Sequence, residues 1–259
     1  MLVAHRNLRR LATGFIVGTA ALIAGCTALA AADPNALWQI VDYGCVPAAR
    51  TTNKTGVCAS VDLERQEALL KDRSGVAQHL LIPTERTSGI ESPRVLDSHA
   101  PNYWADAWRA RSYVQASLKA AKRAPLADNQ IGLEINSAFM RTQEQLHIHI
   151  DCMRASASET LAHHRGDTLD QWTWDTIDSD RYRIMRVSGP ALTVNPFDIV
   201  ARDKTSSDAM ARQTILVTGA GPSTQDDGWF IVNSGTDVEG GTGSAEVLLD
   251  HECKVAAHN

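Results

Sequence analysis

Polar and apolar residues alternate most regularly at Leu146-His147-Ile148-His149-Ile150. A period of two is typical of a strand rather than a helix. Residues i and i+2 of a strand point to the same face, so both imidazoles are expected on one face and the isoleucines in a core. This strand is therefore the first candidate for a functional site.

The hydrophobic pattern elsewhere predicts an α+β fold. Within residues 35–48 a helix is predicted that closes at Gly44-Cys45. Further helices are predicted at 102–124 and at 156–166. A β-hairpin is predicted at 67–86 around Ser74-Gly75. A strand is predicted at 131–136, before the strand with the two histidines. The remainder is richer in strand patterns, at 182–188, 213–221, 228–236 and 245–253.

Two segments of the chain share an order of features that indicates an internal duplication. Residues 133–152 and 230–253 each show a strand ending in Asn-Ser, a polar loop, a second strand, an acidic residue and a cysteine. Aligned on their cysteines, they place Leu248 and Asp250 opposite His147 and His149. We therefore expect a working half at 36–165 and a degenerate half at 172–255, with Asp250, His251 and Glu252 in structural roles. Coincidence between two ordinary hairpins is the alternative.

The N-terminus indicates the cellular compartment in which the protein acts. Arg6, Arg9 and Arg10 precede residues 11–25, which carry no charge and are short for a membrane span. Segment 1–32 is consistent with a lipoprotein signal ending at Cys26, a signal peptide cleaved after Ala30, or an uncleaved anchor. All three place the body outside the cytoplasm.

Charge and cysteine content limit the partners and the redox state. The net charge is −5 and no basic run follows the first dozen residues, so nucleic acid is not an expected partner. An even number of body cysteines in an exported chain favours disulfides. Three pairings are possible. We predict Cys45–Cys58, which closes a short polar loop, and Cys152–Cys253, which joins equivalent strand ends of the proposed repeats.

Three roles are open to the two histidines. They can be structural residues of a half-buried strand, or a two-ligand arm of a metal site, for which the chain supplies only scattered further ligands. They can also include a nucleophile, because neutral imidazole attacks phosphorus well when its other nitrogen is held by an acceptor. Phosphate oxygens then need hydrogen-bond donors. The residues just upstream are such donors, namely Asn136, Arg141, Thr142 and Gln145.

The segment Gln145 to Ile150 resembles the histidine-triad signature, with Gln145 in the place of the first histidine. The resemblance implies that His147 is the nucleophile, that His149 supports it, and that Thr142 and Asn136 lie on the phosphate side. Gln145 can still donate a hydrogen bond, but it cannot be charged. The implied fold is a histidine-triad-like antiparallel sheet with helices, duplicated as a pseudo-dimer within one chain.

Residues 69–93, the helix at 104–111 and the end at 244–253 extend the resemblance to bacterial CDP-diacylglycerol diphosphatases. It implies hydrolysis of CDP-diacylglycerol to phosphatidate and CMP through a cytidylyl-histidine, without metal or other cofactor. It also implies association with the bacterial inner membrane through the N-terminus, with the body facing the periplasm. The alternatives are a hydrolase or nucleotidylyl transferase of soluble nucleotides, and a non-catalytic envelope lipoprotein that binds nucleotides or metal.

Overall fold

The computed structural model describes residues 33–204 and 207–256, and their centre is an antiparallel sheet of nine strands. The spatial order is β1-β2-β3-β5-β4-β8-β9-β7-β6. The strands are β1 Ser60–Asp62, β2 Glu67–Lys71, β3 His79–Pro83, β4 Ile131–Ile135, β5 Ile148–Cys152, β6 Trp172–Ile177, β7 Asp180–Val187, β8 Gln213–Gly219 and β9 Trp229–Gly235. The predicted hairpin is β2–β3, and the strand with the histidines is β5, which begins one residue after His147.

Helices lie between the strands in the chain. They are α1 Ala36–Gln39, α2 Val46–Thr52, α3 Tyr103–Ala120, α4 Ala155–Ala162, α5 Pro196–Ala201, α6 Ser207–Ala211 and α7 Thr224–Asp227. A π-helical turn, Ile40–Cys45, joins α1 to α2, so the first helix runs to Thr52 and not only to Cys45. We call residues 36–52 the N-terminal helix. Short 3-10 turns occupy Pro93–Leu96, Asp128–Gln130, His163–Gly166 and Glu246–Leu248.

The two faces of the sheet are covered by different parts of the chain. On one face α3 buries Trp104, Val114 and Leu118 in a core that includes Ile148 and Ile150 of β5. The side chain of Asn102 caps α3 by accepting a hydrogen bond from the backbone N–H of Ala105 (3.2 Å). Because β5 alternates, its histidines emerge on the opposite face.

The opposite face carries two separate apolar clusters. The N-terminal helix packs Leu37 and Val41 onto Leu80 and Ile82 of β3. Further along the sheet, residues 245–253, which we call the C-terminal segment, pack onto β8 and β9 through Leu248 and other residues. Leu80 is paired with His149 across β3 and β5, so the histidines lie on this face beside the N-terminal helix.

Apart from the edge strand β1, the strands follow the same order on the two sides of the centre, as β4-β5-β3-β2 and β8-β9-β7-β6. The central pair β4–β8 hydrogen-bonds directly, with Leu133 opposite Val217. The sheet is therefore continuous across the boundary expected between residues 165 and 172.

The predicted strand at residues 245–253 is wrong. The sequence alignment of the two proposed repeats matched the histidine strand with this segment, and β4 with β9. The C-terminal segment is not a strand but a 3-10 turn followed by turns, with one isolated bridge between Met153 and Leu249. Its apolar alternation reflects packing onto the sheet face, not membership of the sheet.

Two disulfides hold the segments that border the histidines. Cys45 is bonded to Cys58 and Cys152 to Cys253, with Cα–Cα distances of 5.8 and 5.2 Å. These are the two pairings expected from the sequence. The predicted leader at 1–32 lies outside the described residues. In the described part of the chain, no helix is long and apolar enough to cross a membrane.

Candidate active site

A cavity of about 740 Å³ lies between the N-terminal helix and the C-terminal segment. Its volume is in the range typical of small-molecule sites. One part of the wall is polar or charged, formed by Lys71, Asp72, Arg73, Asn136, Thr142, Gln143, His147, His149 and Glu246. The other part is apolar, formed by Ala36, Leu37, Ile40, Val57, Leu70, Leu80 and Met140. The two histidines singled out by the strand pattern therefore face one cavity.

His147 is buried and held in one tautomer. Its Nδ1 lies 2.7 Å from the backbone oxygen of Gln145, and because a carbonyl oxygen can only accept, Nδ1 carries the proton. Nε2 is then left with the lone pair. Burial, and then the neighbouring His149, lower the pKa of His147 to about 4, so the ring is neutral at pH 7. These are the two properties that a nucleophilic imidazole requires.

His149 lies beside His147, with ring centroids 5.0 Å apart. The side-chain amide nitrogen of Gln78 donates to Nδ1 of His149 (2.6 Å), so this ring carries its proton on Nε2. That Nε2 is buried and has no hydrogen-bond partner within the described residues. Burial lowers the pKa of His149, which keeps the ring neutral. The ring therefore presents an unused N–H donor.

The C-terminal segment adds Glu246 to the same wall. Its carboxylate accepts a hydrogen bond from Nδ2 of Asn136 (2.9 Å) and lies 3.6 Å from Nδ1 of His149. Burial alone would raise the pKa of Glu246, but the contact with His251, the nearby His149 and the hydrogen bond from Asn136 lower it to about 2. Asn136 thus lies in the predicted site, with its amide held by a carboxylate.

His251 connects this wall to the sheet. Its Nδ1 lies 2.7 Å from Asp151 and its Nε2 lies 3.5 Å from Glu246. These contacts with Asp151 and then Glu246 raise the pKa of His251 to about 10, so it is a cation between two carboxylates. The backbone N–H of Val76 donates to the His251 oxygen (2.8 Å), and the Cys152–Cys253 disulfide anchors the same turn. His251 is therefore not one of the cavity-lining residues described above, but it contacts Glu246, which is; the sequence suggested a structural or interface role for it.

Of the remaining predicted residues, only Thr142 faces the cavity. The side chain of Gln145 is buried, where it donates to the backbone oxygens of Pro83 (3.1 Å) and Glu85 (2.9 Å) and accepts from the backbone N–H of Thr87 (3.2 Å). A role for Gln145 as a direct phosphate donor is therefore wrong. Its amide is fully used in fixing the chain that leaves β3.

Arg141 also does not have the position expected of a phosphate donor. Its guanidinium forms ion pairs with Glu91 (2.6 Å) and Glu144 (2.7 Å), and among the described residues it is not part of the cavity wall. It acts on His147 only through its charge, which contributes to lowering the pKa of that ring. The prediction that Arg141 binds substrate directly is corrected accordingly.

The cations that do face the cavity are Lys71 and Arg73, which sequence reasoning missed. Lys71 is the last residue of β2, and Arg73 lies in the turn of the predicted hairpin. The Lys71 ammonium donates hydrogen bonds to the backbone oxygens of Asp72 and Gly75. The sequence did show two basic residues within three positions of a predicted hairpin turn, and this pattern could have marked them as candidate phosphate-binding residues. Only the pairing of β3 with β5 brings that turn next to the histidines.

One group at the site has the spacing of metal ligands. Glu134, His149 and Glu246 each offer a ligand atom, and these atoms lie within 4.8 Å of one another. Glu134 is fully buried, and burial together with the charge of Glu246 raises its pKa well above the usual range. A metal ion bound by this group would have to displace a proton from Glu134, so its affinity would fall as the pH is lowered.

Comparisons with known proteins agree on one family. The family model for CDP-diacylglycerol pyrophosphatase matches residues 32–257. A CDP-diacylglycerol pyrophosphatase of Yersinia pestis is 37% identical over 229 residues, which cover 86% of this chain and 86% of that protein. The match includes every residue of the cavity wall that is described above.

Proposed function

Because the chain belongs to the CDP-diacylglycerol pyrophosphatase family, and therefore hydrolyses CDP-diacylglycerol, we propose that it does so in two steps with His147 as the nucleophile. The observation that carries this proposal is the state of His147, which is neutral and has its Nδ1 proton on a backbone carbonyl. Its Nε2 lone pair is free to attack.

In the first step Nε2 of His147 forms a bond to the phosphorus next to cytidine. The bond from that phosphorus to the bridging oxygen breaks, and phosphatidate leaves with the bridging oxygen. In the second step water attacks the same phosphorus and loses a proton to solvent, the N–P bond breaks with its electron pair returning to Nε2 of His147, and CMP is released. The leaving group is a phosphate monoester with a second pKa near 6, so it departs without a strong general acid.

The surrounding donors supply charge stabilisation while these bonds change. In this proposal the unused Nε2–H of His149 donates to a phosphate oxygen, and the hydroxyl of Thr142, another lining residue, is a second donor. Lys71 and Arg73 supply positive charge for the diphosphate. Removing one such donor typically reduces the rate by ~10²–10³.

His251 and Asn136 have positioning roles in this proposal. The carboxylate of Glu246 would repel an anionic substrate, and the His251 cation offsets that charge. Glu246 in turn holds the Asn136 amide.

The finer features of fold and location also belong to the proposal. The strand order repeated on the two sides of the centre, with β1 left out, supports a pseudo-dimer of histidine-triad-like halves with one site per chain. In this proposal β9 occupies the place of β5 in the second half, and it carries no histidine. An apolar leader at 11–25 supports a membrane-associated protein whose body faces the periplasm.

The test compares His147→Ala with His149→Ala in the full-length protein. His147→Ala should abolish CMP release from CDP-diacylglycerol in the presence of EDTA, whereas His149→Ala should leave a measurable residual rate. Intact mass after rapid quenching should show a CMP adduct that maps to His147. An adduct on His149 instead, or full activity of His147→Ala, would refute the mechanism. Loss of activity in EDTA that Zn²⁺ restores would point to the Glu134–His149–Glu246 group.

A further inference from the structure

Part of the cavity lining is apolar. Leu37 and Ile40 of the N-terminal helix contribute to it, together with Val57 and Met140 from two loops. The face of a cytosine ring can cover part of such a surface. The acyl chains of a lipid substrate present far more apolar area, and they gain most from apolar contacts.

Two apolar residues that line the cavity are also strongly exposed, and two more exposed apolar residues lie close to lining residues in the chain. The four most exposed large hydrophobic side chains of the described residues are Tyr43, Val57, Phe139 and Met140, at 75%, 73%, 60% and 53% exposure. Val57 and Met140 line the cavity, while Tyr43 lies three residues after Ile40 and Phe139 directly precedes Met140. We call these four residues the apolar rim. Scattered exposed hydrophobic residues are ordinary, but a cluster at one mouth indicates a binding surface.

We propose that the apolar rim docks on the surface of a lipid bilayer, so that the substrate headgroup enters the cavity while its acyl chains remain against the apolar wall and in the membrane. The proposal rests on the proposed function for the identity of the lipid. It adds which face of the body meets the membrane and which residues make the contact.

Cavity size supports this orientation. A volume of about 740 Å³ suits a drug-sized ligand such as a cytidine diphosphate headgroup. Two long acyl chains cannot fit in the same space, so they have to leave through the mouth. A mouth bordered by apolar side chains allows the chains to leave without being exposed to water.

One cation is in contact with the rim. The Arg212 guanidinium stacks over the ring of Phe139 at 5.1 Å, where it can meet a lipid phosphate. Tyr43 combines an apolar ring with a polar hydroxyl, a pattern enriched where proteins meet the headgroup region.

The experiment uses the full-length double variant Tyr43→Ser/Phe139→Ser, because neither residue lines the cavity. CMP release is measured with long-chain CDP-diacylglycerol in phosphatidylglycerol vesicles and with dihexanoyl CDP-diacylglycerol as a dissolved monomer. On vesicles kcat/KM should fall about tenfold, as expected when about 60 Å² of apolar surface is no longer buried. On the monomer it should change by less than about twofold, as is usual for surface substitutions.

The matched control removes two exposed apolar side chains at the opposite end of the sheet. Leu169→Ser/Trp174→Ser, at and before the edge strand β6, should leave both activities unchanged. Equal activity of the rim variant and the wild type on vesicles would overturn the proposal. So would an equal loss on both substrates, since the rim would then act on the site and not on docking. If the wild type hydrolyses neither substrate, the proposed function itself fails.

Discussion

Lowering the pH tests the neutral state of His147. Burial, followed by the neighbouring His149, lowers its pKa from 6.5 to about 4. A histidine with the ordinary pKa would be only about 9% neutral at pH 5.5, whereas a pKa of about 4 leaves about 97% neutral. We therefore expect kcat/KM to stay nearly constant between pH 7.5 and 5.5 and to decline only as the pH approaches 4.

The assay is CMP release from dihexanoyl CDP-diacylglycerol at constant ionic strength, with circular dichroism at each pH to show that the protein remains folded. A roughly tenfold loss between pH 7.5 and 5.5 in the folded enzyme would contradict the reasoning. It would mean that the essential group titrates like an exposed histidine.

The same shift has a consequence for stability. The folded pKa of His147 lies below the unfolded value, so the unfolded state binds more protons between about pH 4 and 6.5, and stability rises with pH across that window. At pH 5 the penalty is about 2 kcal/mol relative to pH 7.5. Urea unfolding should therefore show a larger acid destabilisation for the wild type than for His147→Gln. Equal pH dependence in the two proteins would show that His147 is not desolvated.

Two further predictions separate residues at the site from residues that only support it. His251→Ala removes the cation between Asp151 and Glu246. CMP release should therefore fall about tenfold, the effect of losing one charged contact in a site. If most activity is retained, His251 has the structural role suggested by the sequence. Gln145→Ala leaves a buried N–H and two carbonyls without a partner, which should lower the free energy of unfolding by about 3 kcal/mol while the KM of the folded enzyme is unchanged. A raised KM without loss of stability would instead place the Gln145 side chain against the substrate.

Local sequence patterns were sufficient for the elements that carry the histidines. The alternation around Ile148 depends only on neighbouring residues, so it predicted both the strand and the common face of His147 and His149. The same reasoning failed for residues 245–253. Alternation there arises from packing onto a sheet face, and a short apolar pattern does not distinguish that case from a strand.

The direction of side chains in the loop before β5 could not be read from the sequence. Arg141, Thr142 and Gln145 looked equivalent as phosphate donors, yet only Thr142 faces the cavity. Arg141 is held by Glu91, fifty positions away, and Gln145 by the chain after β3. In a loop the partners of a side chain are set by what lies nearby in space, and periodicity does not constrain it.

The sequence by itself determined the α+β class and the strand pattern with its two histidines. It also predicted which cysteines pair, and its resemblance to known proteins indicated the family. Tertiary structure alone decided that Glu246 and His251 join a site about a hundred residues earlier, and that the turn with Lys71 lies beside it. It also decided the chemistry of His147, because its pKa depends on desolvation by the segments that cover it. Local patterns reflect short-range sterics and periodicity, whereas burial and charge pairing arise only once distant segments pack together.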